Sequence, residues 1–217
     1  MVVITSKHGK DKAIGNQGVN VSGNISPRCL NCRTPLHHVF LDLGKSPLCQ
    51  SRVRLQDLDK SEAFYPLRVH VCDRCFLVQA EQFVRPSELF SEYACFSSYS
   101  DSWVEHARHF VETSISRFNL GRQSLVMEIA SNDGYLLQHF KKRNVPVLGI
   151  EPARKVAKVA VQKGLATLVH FHGQETAESV VSSWGRADLL IGNNVLAHVP
   201  DVNDFVSGLK VLLKEKG

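Results

Sequence analysis

The second half of the chain alternates short apolar runs with segments in which apolar residues recur at helical spacing. Four runs are typical of strands, namely residues 126–130 (VMEIA), 146–151 (PVLGIE), 166–171 (ATLVHF) and 187–193 (ADLLIGN). Segments of helical spacing follow them, to about residue 143 and over residues 153–163, 175–184 and 201–215. This alternation with short links favours an α/β fold, in which helices cover both faces of a parallel sheet.

A longer amphipathic segment precedes the first of these strands. Its small and apolar residues fall on one helical stripe, which comprises Trp103, Ala107, Phe110, Val111, Ser114 and Phe118. Asp101, just before the stripe, is a suitable N-cap. We expect a helix here whose stripe packs on the sheet as part of the core.

The region from residue 29 to about residue 85 has no long helical period and contains two CxxC pairs, Cys29–Cys32 and Cys72–Cys75. Each CxxC turn places two thiolates on one side of a knuckle, and two knuckles complete a tetrahedral four-sulfur zinc site. The second pair lies between two strand-like segments, as in the hairpin of a zinc ribbon. A redox CxxC normally opens a helix after a strand, which neither pair does. Four thiolates leave no open position, so we expect structural zinc.

Composition limits the location and the partners of the protein. Hydrophobic residues make up 43% of the 217 residues, charged residues 22%, and the net charge of +5 is scattered, which does not favour nucleic-acid binding. No apolar run reaches the length of a membrane span, and no secretory h-region is present. We therefore expect a cytoplasmic protein with reduced cysteines. Residues 1–28, rich in Lys, Gly, Asn and Ser, are predicted to be a disordered lead-in.

Residues 128–137 read EIASNDGYLL and lead from the first predicted strand into a helix. In nucleotide-binding α/β folds the ligand lies at the carboxyl ends of the strands, where the loop must let it approach the backbone. Ala130, Ser131 and Gly134 are small enough for that approach. Glu128 ends the first strand, and Glu151 ends the second about 20 residues further on, where an acidic side chain binds ribose hydroxyls.

The carboxylates of this loop indicate which cofactor it would hold. The G-x-G-x-x-G fingerprint of NAD sites is absent, and Asp133 is poorly placed for a pyrophosphate at a helix N-terminus. S-adenosylmethionine (SAM) has no phosphate and carries a sulfonium and an amino group, so it fits an acidic loop better. An ordinary tight turn built on Asn-Asp-Gly remains the alternative.

The order of motifs along the chain resembles a known family. The motifs are the two CxxC pairs, YACFSSYS (93–100), EIASNDGYLL (128–137), GIEPA (149–153) and NNVLAHVPDVNDF (193–205). From about residue 29 to the end, the chain resembles the zinc-containing, SAM-dependent C-methyltransferases that act on nucleotide-linked deoxysugars. The resemblance implies a zinc-binding domain at residues 29–90 with a zinc-ribbon-like fold, followed at residues 91–217 by a class I SAM-methyltransferase (Rossmann-like) sheet.

The resemblance also implies a set of site residues. The expected cofactor-binding residues are Glu128, Ala130, Ser131, Asn132, Asp133, Gly134, Tyr135, Glu151, Pro152, Phe171, Asn193 and Asn194. His198 and Tyr93 are expected to remove a proton beside a substrate ketone and to hold the enolate oxygen, in an order that the resemblance leaves open. Outside this context, such a histidine is more often structural and such a tyrosine is a half-buried aromatic residue.

Two features distinguish this chain from the family pattern. The family loop reads E-I-G-x-N-D-G, so Ala130 replaces a glycine. From the resemblance we expect that the family's Tyr-x-Glu-His catalytic segment and its C-terminal domain would lie beyond Gly217. Four strands that end at LLKEKG would leave a bare apolar edge, so we expect an incomplete sheet and a truncated chain.

Three other functions remain open from the sequence. They are methyl transfer to an oxygen of a sugar or small molecule, a non-catalytic zinc- and SAM-binding fragment, and an NAD-dependent sugar-modifying enzyme. The sequence does not indicate an oligomeric state.

Overall fold

The computed structural model describes residues 27–49, 53–90, 95–215 and 217. Its strands are β1 (His38–Ser46), β2 (Tyr65–Val71), β3 (Val78–Ala80), β4 (Val126–Ile129), β5 (Val147–Ile150), β6 (Thr167–Leu168) and β7 (Leu189–Ile191). Its helices are α1 (Pro86–Phe90), α2 (Asp101–Phe118), α3 (Leu137–Lys142), α4 (Arg154–Gln162), α5 (Gln174–Trp184) and α6 (Val202–Leu212). The predicted lead-in comprises residues 1–28, and its first 26 residues lie outside the described part of the chain.

The second half of the chain is built on a parallel sheet with the strand order β6-β5-β4-β7. This is the order of the first four strands of a doubly wound Rossmann sheet, whose switch point lies between β4 and β7. Glu128 in the central strand β4 is in register with Gly149 of β5 and Ile191 of β7. The predicted α/β fold with a parallel sheet is confirmed.

Helices cover both faces of this sheet, because successive residues of β4 point to opposite sides. Val126 belongs to a core that includes residues of α2, α3 and α4, whereas Met127 and Ile129 belong to a second core that includes residues of α5 and α6. All four residues of β4 are buried, as expected for a central parallel strand. By this alternation Glu128 points to the same side as Val126, toward α2 and α3.

Two details differ from the elements that the sequence predicts. The third strand of the sheet is only Thr167–Leu168, because pairing with β5 ends where Glu151 N–H donates to Leu168 O at 2.9 Å. The N-cap of α2 is Ser100 and not Asp101, since Ser100 has an extended backbone and its hydroxyl accepts from Trp103 N–H at 3.3 Å. Asp101 itself is already the first helical residue.

The cysteine-bearing region forms an antiparallel sheet of its own with the order β1-β2-β3. Strands β2 and β3 form the expected hairpin, with Val71 opposite Val78 and the second CxxC pair at its turn. Strand β1 pairs with β2 through two irregularities in register. No helix within the described ranges has both the length and the apolar character needed to span a membrane.

Candidate cofactor site and metal centre

The four cysteines of the two CxxC pairs meet at one point. Their Sγ atoms all lie within 4.8 Å of one another. Cys29 Sγ is 3.5 Å from Cys75 Sγ, and Cys32 Sγ is 3.5 Å from Cys72 Sγ. A tetrahedral zinc ion with bonds of about 2.3 Å requires neighbouring sulfurs roughly 3.8 Å apart. The thiol cluster therefore fits zinc with only small adjustments and offers no additional open ligand position.

The two knuckles that present these cysteines have the same backbone geometry. In the first, Arg33 N–H donates to Cys29 O at 3.0 Å, and in the second Phe76 N–H donates to Cys72 O at 2.9 Å. Arg33 and Phe76 both adopt left-handed conformations, with φ of 60° and 59°. Such conformations are strained for residues other than glycine and persist only where the surroundings impose them.

Gln79 on β3 supports the metal centre and was not identified from the sequence. Its side chain is buried, with Oε1 accepting from Leu30 N–H at 2.7 Å and Nε2 donating to Cys29 Sγ at 3.4 Å. Burial alone would raise the pKa of Cys29, but hydrogen bonds from Gln79 and from nearby backbone N–H groups lower it to about 6. A glutamine in a short strand carries no sequence pattern that points to a metal.

The loop after β4 takes a tight path through three left-handed residues. Ala130, Asn132 and Gly134 have φ of 55°, 51° and 75°. A Cβ atom at Gly134 would lie 2.1 Å from Leu165 Cδ1, so a larger residue would have to displace that side chain and would also be strained at φ of 75°. Ala130, where the family has glycine, keeps its left-handed backbone at the cost of some strain. Helix α3 consequently begins only at Leu137.

Three carboxyl groups lie buried at the carboxyl ends of β4 and β5, namely those of Glu128, Asp133 and Glu151. Glu128 is 0% exposed, and neither of its carboxyl oxygens has a hydrogen-bond partner among the described residues. Burial, together with the charges of Glu151 and Asp133, raises the pKa of Glu128 well above its usual range. This acid cluster is the main electrostatic feature of the site.

Glu151 holds the loop after β4 in place. Its Oε2 accepts from Asn132 N–H at 2.9 Å, and its Oε1 accepts from Ala153 N–H at 2.8 Å. Burial raises the pKa of Glu151 despite these two hydrogen bonds. Each carboxylate oxygen retains a second lone pair, so the side chain can still accept from a ligand hydroxyl.

The side chains of Asn132 and Asp133 are directed at the segment before α2. Asn132 Oδ1 accepts from Ser97 N–H at 2.9 Å, and its Nδ2 donates to Cys95 O at 3.0 Å. Asp133 Oδ2 accepts from both the backbone and the hydroxyl of Ser98. It also lies 3.4 Å from Lys163 Nζ. Asp133 Oδ1 and Ser131 Oγ, like the two carboxyl oxygens of Glu128, are buried without a hydrogen-bond partner among the described residues.

Tyr135, Asn193 and Asn194 come together on the α2 side of the sheet. They line a shallow cleft with residues of α2. Asn193 Nδ2 donates to Tyr135 Oη at 3.1 Å, and the rings of Tyr135 and Trp103 stack with centroids 5.9 Å apart. Burial raises the pKa of Tyr135 to about 12. Trp103 thus belongs to this cleft and not only to the core.

The remaining predicted site residues lie around the same end of the sheet. Pro152 is half-buried directly after β5, and Phe171 beyond β6 is 43% exposed. His198 is exposed at the end of the single 3-10 turn Leu196–His198 after β7, with its ring centroid 5.8 Å from that of Phe90. Tyr93 lies outside the described residues, so its predicted role stays a prediction.

Comparison with protein families gives two matches in the order of the two sheets. A model described as "Putative zinc binding domain" matches residues 29–90, and one described as "Methyltransferase domain" matches residues 103–217, more than half of the chain. The chain belongs to this methyltransferase family. These matches confirm the resemblance to a methyltransferase family with a zinc-binding domain.

One curated relative of this methyltransferase extends the comparison. The C-methyltransferase NovU of Streptomyces niveus is 32% identical over 189 residues, which cover 86% of this chain and 45% of NovU. The chain therefore spans less than half the length of that relative.

Solved structures also resemble part of the methyltransferase. YcgJ of Bacillus subtilis aligns with a TM-score of 0.42 and 18% identity, over 52% of this chain and 48% of YcgJ. Magnesium protoporphyrin IX methyltransferase of Synechocystis aligns with a TM-score of 0.39 and 19% identity, over 56% of this chain and 61% of that protein. Likeness at this level carries no information about ligand or substrate.

Replacing Gln79 with Ala should weaken zinc binding about 10- to 100-fold, because a group that supports a metal ligand is lost. The measurement is competition for zinc with a chelator of known affinity. The matched control is Gln82→Ala, an exposed glutamine of the same region, which should bind zinc like the unchanged protein. Equal zinc affinity of the two variants would contradict the role of Gln79.

Replacing Glu128 with Gln should remove part of the pH dependence of stability. A raised pKa in the folded state means that the stabilisation by protonated Glu128 is complete below about pH 4.3, the unfolded value. It is lost as pH rises through the higher folded pKa, by about 1.4 kcal/mol for each unit of the shift. Urea unfolding from about pH 5 to pH 8 should show a steeper loss of stability in the unchanged protein than in Glu128→Gln. The exposed Glu178→Gln should follow the unchanged protein; parallel curves for all three would refute the assignment.

Proposed function

We propose that the protein binds SAM at the carboxyl ends of β4 and β5 and transfers its methyl group to a carbon atom of a nucleotide-linked keto-deoxysugar. The observation that carries the proposal is the buried acid cluster of Glu128, Asp133 and Glu151 at the loop after β4. Its carboxyl groups disfavour a phosphate at this position. Membership of the methyltransferase family and the identity to a C-methyltransferase support it.

Electrostatics favours SAM over a dinucleotide at this position. A pyrophosphate would add negative charge next to three buried carboxyl groups, where burial and then the charges of Glu151 and Asp133 already raise the pKa of Glu128. A ligand with a sulfonium and an ammonium group reverses the sign of that interaction and favours the ionised form of Glu128. Glu128 is 0% exposed, so we assign its influence on the ligand mainly to electrostatics.

Different residues of the loop would serve different parts of the cofactor. Glu151 retains free lone pairs for ribose hydroxyls, while Ala130, Ser131 and Gly134 let the ligand approach the backbone. Tyr135, Asn193 and Asn194 line the neighbouring cleft, and we assign Phe171 and Pro152 to the adenine side. Asn132 and Asp133 would contribute mainly through their backbone, because their side chains hold residues 95–98. SAM, when bound, supplies an electrophilic methyl group.

The acceptor chemistry assigns roles to His198 and Tyr93. Methylation of a carbon beside a ketone needs a base that removes the proton and a donor that stabilises the enolate oxygen. His198 follows β7, the strand that pairs directly with β4, so its turn lies at the same end of the sheet as the acid cluster. We assign the proton transfer to this pair, with the sugar acceptor taken from the family resemblance.

Zinc in this proposal builds the fold and does not touch the substrate. The four thiolates fill a tetrahedral site, which leaves no position for a reacting group. Transfer to an oxygen atom remains the alternative, since it needs only a base and positioning. The cytoplasmic location stays a prediction from the sequence.

Adding SAM or S-adenosylhomocysteine should raise the melting temperature, whereas NAD should leave it unchanged. At 100 times the Kd, a ligand stabilises the folded protein by about 2.7 kcal/mol. Glu151→Gln should lose most of the shift, because it removes the carboxylate that accepts from ribose and braces the loop. Glu178→Gln, on the surface of α5, is the control and should keep the shift. A shift with NAD and none with SAM would refute the proposed cofactor.

The position of the transferred methyl group distinguishes carbon from oxygen transfer. With SAM labelled in its methyl carbon and a nucleotide-linked keto-deoxysugar, NMR should place the new methyl group on the carbon beside the ketone. His198→Gln should slow this transfer about 100-fold or more, the usual contribution of a general base or acid. His109→Gln, a histidine exposed on α2, should have no effect. A methyl group on oxygen would favour the alternative reaction.

A further inference from the structure

The first cysteine knuckle makes two polar contacts with the start of α6. Arg33 Nη2, just after Cys32, lies 3.2 Å from Asp201 Oδ2. Asn203 Nδ2 donates to the backbone carbonyl of Asn31, inside the knuckle, at 2.8 Å. These contacts join positions that are far apart in sequence, one in the cysteine-bearing region and the other at the start of α6. They connect the metal centre with the loop between β7 and α6.

Asp201 uses its two carboxylate oxygens for different tasks. Its Oδ1 accepts from Asn203 N–H at 3.1 Å and from Asp204 N–H at 3.0 Å, which makes it the N-cap of α6. Its Oδ2 faces Arg33. The residue that fixes where α6 begins is therefore held by the knuckle on its other side. Pro200, whose ring restricts the backbone, connects Asp201 to the turn that carries His198.

A second contact reaches the same loop from α1. The ring centroids of Phe90 and His198 lie 5.8 Å apart. Phe90 ends α1, and the match to the zinc-binding family model also ends at residue 90. Both ends of the zinc-binding region thus touch the short segment from His198 to Asn203.

The geometry of the knuckle depends on what holds its cysteines. Arg33 is left-handed, with φ of 60°, a conformation that a non-glycine residue keeps only under constraint. The hydrogen bond from Arg33 N–H to Cys29 O, at 3.0 Å, closes this turn, and zinc bound to Cys29 and Cys32 would add a second constraint. Without the metal the turn would be free to relax, which would weaken the contacts of Asn31 with Asn203 and of Arg33 with Asp201.

We propose that the metal-bound first knuckle positions the His198 turn, with Arg33 and the Asn31 carbonyl holding the beginning of α6. Zinc thereby acts on the reaction at a distance, through the placement of His198, without contact with substrate. The importance of this placement for catalysis rests on the proposed function. The contacts of Arg33 with Asp201 and of Asn31 with Asn203, which we call the link between the metal centre and the loop, do not depend on it.

The exposure of the two charged side chains determines how much the link stabilises the loop. The side chains of Arg33 and Asp201 are 58% and 47% exposed, so their ion pair is weak by itself. Together with the hydrogen bond from Asn203, it should change the local opening equilibrium of the loop about fivefold to tenfold. Such a change is small against global stability but easily measured in local exchange.

Hydrogen exchange with mass spectrometry tests the link without any measurement of activity. In the full chain loaded with zinc, Arg33→Ala/Asn203→Ala should raise exchange in peptides covering residues 195–204 about fivefold to tenfold, with bound zinc unchanged. Peptides of β4 and β5 should stay protected and report that the sheet is intact. Arg74→Ala, in the second knuckle, is the matched control and should exchange like the unchanged protein. Arg33→Lys should recover part of the protection, because it restores the charge opposite Asp201.

Zinc removal provides the second arm of the test. Stripping the metal from the unchanged protein should raise exchange in residues 195–204, whereas the double variant should respond little because its link is already lost. Unaltered loop exchange in the zinc-loaded double variant would overturn the proposal, whatever the stripped protein does. So would an equal response of both proteins to zinc removal. The SAM-induced shift in melting temperature tests the proposed function separately, because neither Arg33 nor Asn203 belongs to the cofactor loop.

Discussion

The buried carboxyl groups at the ends of β4 and β5 are the constraint on which the rest of the site depends. Glu128 is enclosed without a partner among the described residues, and Glu151 is satisfied only by backbone N–H groups of the loop and of the segment before α4. Isolated buried charge is strongly unfavourable. Burial, together with the nearby charges of Glu151 and Asp133, accordingly raises the pKa of Glu128.

The acid cluster also explains how the site is connected to the segment before α2. Asp133 Oδ2 accepts a hydrogen bond from Ser98 and lies near the ammonium group of Lys163. These two residues, which lie outside the sheet, therefore compensate part of the negative charge of the acid cluster. Asn132 adds hydrogen bonds to the same segment. The loop after β4 and residues 95–98 therefore form one hydrogen-bonded unit. The first knuckle contacts the beginning of α6, shortly after the turn that contains His198.

Much of this arrangement could be predicted from sequence because the relevant signals are local. The apolar runs gave the strands of the parallel sheet, and the paired CxxC turns gave the metal ligands. The partners of polar side chains could not be predicted, since they depend on tertiary contacts. Gln79 beside Cys29 and Asn132 beside Ser97 are examples, because an isolated amide carries no pattern. The N-cap of α2 was misplaced by one residue because both Ser100 and Asp101 are good caps, and only backbone geometry distinguishes them.

Ala130 has a consequence for how a ligand meets the loop. Glycine at this position would adopt the left-handed conformation without strain, but it would also sample many others before binding. Alanine, held at φ of 55° by the pairing of its N–H with Ile150 O at 2.8 Å, has fewer conformations available. Its methyl group restricts the backbone of the free loop to fewer conformations. The loop therefore loses less conformational entropy when a ligand binds, and this pre-organisation offsets the local strain at Ala130.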